Sequence, residues 1–311
     1  MRLNQLEVDR KLLVNGKWIG KLIGARKSDV RGRVAMILLH FRRHGRVVDG
    51  AKVLVSLTTY RARLPKFHLV LESLLRQDCA KDYSVVVHLS VEDLESGTLP
   101  SNIASFEGRG VSFVIHPENL RSYKKLVYEY GRSADTLIVT ADDDILYPSY
   151  WLRRLLGTHD AHPRCVVAYR AHFLLMSDSG GFVPYSEMMG AASADSRRCI
   201  PSFDLMPTGV SGVLYPPGSL SDICLDKELF LAYAPSADDI WFKVSSLLKG
   251  TPCVQVEPRN RHFAMVPGSQ TSSLYQENVG RSQNDVQLAE CFRMFPELLQ
   301  LIQSAPPASE Y

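Results

Sequence analysis

In the stretch Leu137-Ile138-Val139-Thr140-Ala141-Asp142-Asp143-Asp144-Ile145-Leu146, a run of apolar and β-branched residues ends in three carboxylates. Five such residues without alternation have the pattern of a strand buried on both faces of a parallel sheet. Three adjacent acids repel one another unless a cation or hydrogen-bond donors compensate them. Open α/β sheets bind ligands at the carboxyl ends of their strands, so the triplet reads as a holder of a divalent cation at such an end. The alternative is a solvated acidic turn. Against it stand Tyr147, Pro148, Tyr150 and Trp151, because a loop flanked by so much apolar surface is a poor solvent-exposed tip.

Working outward, the residues before this stretch alternate between the two periods. Val53 to Leu57 forms a strand ending in Thr58, Thr59, Tyr60 and Arg61, and Lys66 to Gln77 carries Leu69, Val70, Leu71, Leu74 and Leu75 at helical spacing. Val85 to Leu89 is a second strand, ending at Ser90, Glu92 and Asp93. Gly110 to Ile115 is a third, followed by a helix over Leu120 to Tyr130. The strand at Leu137 is then the fourth of a β-α series, which predicts an α/β fold with a mostly parallel central sheet and right-handed crossovers. Beyond the triplet the spacing predicts a helix from Trp151, a strand over Cys165 to Arg170, an extended loop region over residues 176–206 and a glycine-punctuated strand and turn over Thr208 to Gly218. Asp238 and Asp239 open a helix running to Leu248, at the end where acids are favourable, and Val254 to Val256 is a late strand. Trp241 belongs in the core.

The composition, 45% hydrophobic and 22% charged, is that of a globular protein with ample core over 311 residues. A net charge of +3 hides an asymmetry: residues 1–50 hold twelve Lys or Arg against four acids, so the leader carries +8 and the rest −5. The expected division is a basic N-terminal extension over 1–50, one domain over 51–295 and a C-terminal tail over 296–311. The extension reads either as an amphipathic segment lying on an anionic membrane face or as a helical pair packed on the domain. No nucleic-acid reading module continues its basic bias. No run reaches the roughly 18 apolar residues of a membrane span, Val34 to Phe41 being the nearest and too short. Six cysteines without zinc-like spacing, and the absence of a signal-peptide pattern, point to reduced thiols in the cytoplasm, with the extension at the inner face of the cytoplasmic membrane in the first reading.

Strand, acidic triplet and a second acidic pair about a hundred residues later, in this order, resemble the GT-A (Rossmann-like) nucleotide-sugar glycosyltransferases. The likeness is to the family 2 type and its relatives in bacterial capsule and lipopolysaccharide assembly, and it covers roughly residues 52–285. It implies a hexosyltransferase-like enzyme that moves a sugar from a nucleotide-sugar donor to a hydroxyl of a glycan or lipid-linked acceptor, with inversion. Thr58, Thr59, Tyr60 and Arg63 resemble the start of the nucleotide site, and Asp142 to Asp144 the DxD motif. In that reading Asp142 lies toward the ribose or nucleotide, Asp143 is less committed, and Asp144 ligates manganese or magnesium, with His262 completing the shell. Departure of the sugar leaves charge on the β-phosphate, which a divalent ion stabilises. Asp239 is the expected general base and Asp238 the runner-up for that role.

Each further candidate carries a plainer alternative. Arg121, Ser122, Tyr123, Lys124 and Lys125 open a helix whose amides and basic side chains suit a diphosphate, or Lys124 and Lys125 lie on a solvated basic face. Asp93 binds base or ribose, or is a charged strand end. Gly209 and Gly212 admit close approach of a sugar, or make a tight turn. Asp238 and Asp239 cap their helix; His262 is a surface histidine beside Arg259 and Arg261. The polar residues Asn278, Arg281, Ser282, Asn284 and Asp285 close over the donor or cap a helix. Three other classes compete. A haloacid dehalogenase-type phosphatase carries Thr or Val where Leu146 stands, and a sugar nucleotidyltransferase carries a glycine-rich basic loop after its first strand, which this chain lacks. A non-catalytic carbohydrate- or metal-binding domain of the same fold has no use for both Asp144 and Asp239.

Overall fold

A computed structural model describes residues 30–36, 47–95, 97–132, 134–178, 180–190, 194–269 and 283–303. Its centre is a seven-stranded sheet in the order β10-β6-β9-β4-β1-β2-β3. These strands are β1 (Val53–Thr58), β2 (Ser84–Ser90), β3 (Val111–His116), β4 (Leu137–Ala141), β6 (Val166–Ala168), β9 (Val213–Tyr215) and β10 (Cys253–Gln255). Two small antiparallel pairs flank it: β5 (Ile145–Leu146) with β11 (Ala264–Met265), and β7 (Ala171–Phe173) with β8 (Leu205–Pro207). β1 pairs in parallel with β2 on one side and β4 on the other, so the chain steps outward through β2 and β3 and returns across β1. That reversal is the topological switch at which open sheets leave a crevice. The mostly parallel sheet expected from the β-α series is present.

The seven-residue run Ser84–Ser90 is buried throughout, as an inner strand covered on both faces must be. Helix α1 (Leu64–Leu74), with a proline in its first turn, lays Phe67, Val70, Leu71 and Leu74 on one face of the sheet, together with Leu152 and Leu155 of α3 (Trp151–Ala161). The other face is covered by the short α2 (Lys124–Val127), α4 (Lys227–Tyr233), α5 (Asp238–Leu248) and α6 (Gln283–Met294), with Trp241 fully buried. Helix α7 (Glu297–Gln303) adds Leu298 and Ile302 to that core, so packing continues past the boundary expected at residue 295. Residues 176–206 are not wholly irregular: they hold a helix at Tyr185–Gly190 and a 3-10 turn at Ser196–Cys199. Residues 30–36 are helical, and Ala35 and Met36 pack on the domain core. The basic clusters at Arg10 and Lys11 and at Arg42 to Arg46 lie outside the described residues, as do Asn278, Arg281, Ser282 and the last eight residues. Among the described residues no helix is long and apolar enough to cross a membrane.

Strand β9 runs against its neighbours β4 and β6, which a sequence pattern cannot reveal. Its start therefore lies at the carboxyl end of β4, and the turn leading into it, Thr208 to Gly212, arrives beside the acidic triplet. Ser211 (φ 77°) and Gly212 (φ 101°) take left-handed backbone there. The strain at Ser211 is held by its hydroxyl, which donates to the Arg261 carbonyl at 2.7 Å, and by its carbonyl, which accepts from Trp151 Nε1 at 2.8 Å. A Cβ on Gly212 would stand 2.7 Å from the Trp151 ring. Gly212→Ala is expected to lower stability by roughly 2–4 kcal/mol through backbone strain and overpacking; a urea midpoint unchanged from wild type would show that this turn does not bear on the Trp151 ring.

Candidate active site

The acidic triplet is not a free tip. Asp142 donates its backbone N–H to the hydroxyl of buried Tyr147 at 2.7 Å, and the Asp144 carbonyl accepts from Val266 N–H at 2.8 Å as β5 begins to pair with β11. Tyr147 in turn packs on Trp151, ring centroids 4.4 Å apart. The aromatic and apolar residues after the triplet thus clamp the loop. Arg63, at the N-cap of α1, reaches across from the end of β1: its Nη1 lies 2.8 Å from Asp143 Oδ1 and 2.6 Å from Asp144 Oδ2. Burial pushes the Asp143 carboxyl up to about 7 despite Arg63, with Asp144 and Asp142 adding repulsion.

Lys125 joins this group to the second acidic pair. Its Nζ is 3.1 Å from Asp238 Oδ2 and 3.6 Å from Asp142 Oδ1, with 7% of the side chain exposed. Burial works against its charge, but Asp238, Asp142 and Asp239 together hold it firmly protonated. Asp238 also accepts from Ser122 Oγ at 2.9 Å, and Asp239 accepts from Gly209 N–H at 2.9 Å. A Cβ on Gly209 would lie 2.7 Å from Lys125 Nζ and 3.0 Å from Asp239 Oδ1, so a bare backbone is what this corner admits. Neither acid caps the helix: the N-cap is Ala237 and no side chain bonds there. Burial, then Asp238, pushes the Asp239 carboxyl up to about 7.

The remaining candidates are placed as follows. Thr58 Oγ1 donates to the His88 carbonyl at 2.8 Å, tying the end of β1 to β2, while Thr59 is buried and Tyr60 lies under the Arg63 guanidinium at 5.6 Å. Asp93 is 4% exposed and engaged: it accepts from Ser90 N–H at 2.8 Å and from Lys124 Nζ at 3.1 Å. Burial alone raises its carboxyl, but these donors outweigh it and lower the net value. Lys124 and Lys125 are buried, so the solvated basic face is replaced by three internal ion pairs, with Asp93, Asp142 and Asp238. Arg121 is exposed, in left-handed backbone (φ 51°), and its N–H is taken by Asn119 Oδ1 at 2.8 Å. The helix behind it has four residues, which corrects the expected run from Leu120 to Tyr130 and leaves little macrodipole to aim at a phosphate. His262 lies on the approach to β11 with its residue surface open to solvent, while the protein packed around it and the charge of Arg170 lower its basicity. Asp285 accepts from Tyr185 N–H at 2.6 Å near the start of α6.

Among the described residues no three His, Cys, Asp or Glu side chains are gathered as a metal shell, so Asp142, Asp144 and His262 do not stand as a preassembled set. The donor chemistry of Asp142 and Asp144 nonetheless suits a hard divalent cation that brings water or phosphate oxygens of its own. A cavity of about 320 Å³ lined by Arg154, His162 and Cys199 shares no residue with the acids. The sequence places Ser122 and Lys125 at a helix start suited to a diphosphate; that they instead engage Asp238 and Asp142 was missed. A lysine pair before a strand carries no signal of burial unless its carboxylate partners are already known.

No protein-family model matches the chain, and no curated protein matches it in sequence. Among solved structures it is similar to residues 1–349 of S. aureus TarS, at 17% identity and a TM-score of 0.44, over 68% of this chain and 59% of that one. The mannosyltransferase PcManGT from Pyrobaculum calidifontis, in complex with GDP-Man and Mn2+, is similar at 13% identity and a TM-score of 0.49, over 90% of this chain and 74% of that one. CMP:2-keto-3-deoxy-manno-octonic acid synthetase complexed with CTP gives 11% and 0.41, over 76% of this chain and 100% of that one.

Because the Asp239 carboxyl lies above the ordinary 3.8, the folded protein holds its proton more tightly than the unfolded chain does. The resulting stabilisation is complete below about pH 4 and is lost as pH rises through about 7. Asp239→Asn, which keeps an acceptor for Gly209 N–H, is therefore expected to match wild type in urea stability at pH 3.5 and to exceed it at pH 8 by up to about 4 kcal/mol. A pH-independent difference would show that Asp239 is not raised.

Proposed function

We propose that the protein is a metal-dependent, inverting glycosyltransferase that moves a sugar from a nucleotide-sugar to a hydroxyl of a glycan or lipid-linked acceptor in surface-polysaccharide synthesis. One observation carries this reading: two carboxylate groups from distant parts of the chain meet across Lys125 at the carboxyl ends of β1 and β4. One group supports a leaving diphosphate and the other an attacking hydroxyl. Asp142 and Asp144 would hold the divalent ion, which supplies positive charge to the departing β-phosphate. Arg63 and Lys125 bring further positive charge to the same place.

Asp239 takes the proton of the acceptor hydroxyl while its oxygen bonds to the anomeric carbon. The bond from that carbon to the β-phosphate oxygen breaks on the opposite side, which inverts the configuration. Asp239 fits this role better than Asp238, whose carboxylate is engaged by Lys125 and Ser122. A value of about 7 makes Asp239 a base that is both available and strong near neutrality. Thr58, Thr59 and Tyr60 at the end of β1, with Arg63, form the wall nearest the nucleotide.

A thermal-shift screen of nucleotide-sugars with and without manganese identifies the donor, since a ligand of the folded state raises its apparent stability. With that donor, Asp239→Asn is expected to retain binding and lose transfer by about 10²–10⁴-fold, and Asp144→Ala to lose manganese-dependent release of nucleoside diphosphate. The wild-type rate should rise with pH and reach half its plateau near 7. Transfer by Asp239→Asn at near wild-type rate removes Asp239 as the base, and a failure to bind any nucleotide-sugar removes the donor site.

A further inference from the structure

Arg63 stands where a cation entering the triplet would stand. A single guanidinium nitrogen serves two carboxylates, 2.8 Å from Asp143 and 2.6 Å from Asp144, with 13% of the side chain exposed. Lys125 lies 3.6 Å from Asp142, so every carboxylate of the triplet already has a cation of the protein beside it. The backbone of Arg63 is fixed independently of these contacts: its N–H donates to the Tyr60 carbonyl at 2.9 Å, and its carbonyl accepts from Lys66 N–H at 3.1 Å. In the same pose Nε faces the Tyr60 hydroxyl at 3.4 Å and the guanidinium lies over that ring, so Tyr60 helps to hold it at the mouth of the triplet. The guanidinium is thus held by charge on a long, flexible stem, and its departure leaves the β1–α1 connection intact.

A bare divalent ion approaching Asp144 meets that guanidinium, and like charges at ion-pair distance repel strongly in a half-buried site. Expelling Arg63 into water forfeits two charge-assisted hydrogen bonds with nothing returned. A nucleoside diphosphate changes the exchange, because its phosphate oxygens match the guanidinium fork as well as carboxylates do. We propose that Arg63 is an exchangeable counter-ion that closes the triplet to bare divalent cations and releases it when the cation arrives with a diphosphate. Cation and nucleotide then bind each other's form of the protein preferentially, and the coupling is reciprocal. This rests on the reading of the triplet as the donor site.

The test measures binding, without turnover. Bare Mn2+ binding is followed by the electron paramagnetic resonance of the free ion, and metal-free UDP and GDP binding by calorimetry in EDTA. Both are applied to the wild-type chain, Arg63→Gln and Arg63→Lys. Arg63→Gln is expected to bind bare Mn2+ at least tenfold more tightly than wild type and the metal-free nucleotide at least tenfold more weakly. A merely structural role weakens both. Arg63→Lys, which keeps the charge but loses the fork, is expected between the two and carries the comparison if the glutamine variant does not melt cooperatively. Adding Asp144→Asn must abolish the gain in Mn2+ affinity; a gain that survives lies elsewhere and overturns the proposal. Equal or weaker Mn2+ binding by Arg63→Gln, with Mn2+ still bound by wild type beside UDP or GDP, overturns the role of Arg63 alone. No Mn2+ binding by any of these proteins, with or without nucleotide, overturns the donor-site reading as well.

Discussion

Lys125 brings its ammonium between Asp238 and Asp142 with almost no contact to solvent, and the carboxyl end of the sheet depends on that placement. An unpaired buried lysine would lose its proton. Asp238 and Asp142 keep Lys125 charged, because their carboxylates supply the compensation it lost on leaving water. Such a pair adds little net stability over a well-packed apolar substitute, but removing one partner strands the others at a cost of several kcal/mol. The lysine therefore acts less as a source of stability than as a constraint on geometry. α2, β4 and α5 have to meet at one point for any of the three charges to be tolerated.

Two features of the backbone make that meeting possible. The reversed strand β9 delivers the Thr208–Gly212 turn to the end of β4, and the left-handed pair Ser211 and Gly212 bends it around the Trp151 ring. Gly209 then presents a bare N–H to Asp239, in a corner where a side chain would collide with both Lys125 and the carboxylate. Trp151 belongs to the segment that clamps the acidic triplet from behind, through Tyr147. One buried aromatic pair thus sets the position of the triplet and of the turn that orients the second acid. The two halves of the site share their support as well as their lysine.

What the sequence made legible follows from local physics. A strand without polar alternation announces burial on both faces, so β1, β2 and β4 are readable, as is the helix at Asp238 from its apolar spacing. Three acids at a strand end announce a need for compensation. What compensates them is not legible, because Arg63 and Lys125 act across 80 and 17 residues respectively, and a lysine pair reads the same on a wet face as inside an ion-pair network. Asp93 looked available for the same reason: only the fold shows Lys124 and Ser90 already upon it. The direction of β9 was hidden as well, since apolar content fixes that a strand is buried and not which way it runs.

The distribution of cations among five carboxylates also decides which acid can work as a base. Asp142, Asp143, Asp144 and Asp238 each have an ammonium or guanidinium within ion-pair distance. Asp239 forms no such pair among the described residues and accepts only a neutral backbone N–H. A carboxylate held in an ion pair has its oxygens directed at the cation, so taking a proton from an alcohol means breaking that pair first. Lys125 stands one carboxylate away from Asp239, close enough to keep burial and Asp238 from neutralising it permanently, too far to rob it of basicity. The same lysine that fixes the donor side by direct contact thereby leaves the acceptor side with a carboxylate that burial and Asp238 raise to about 7 and that no cation occupies among the described residues.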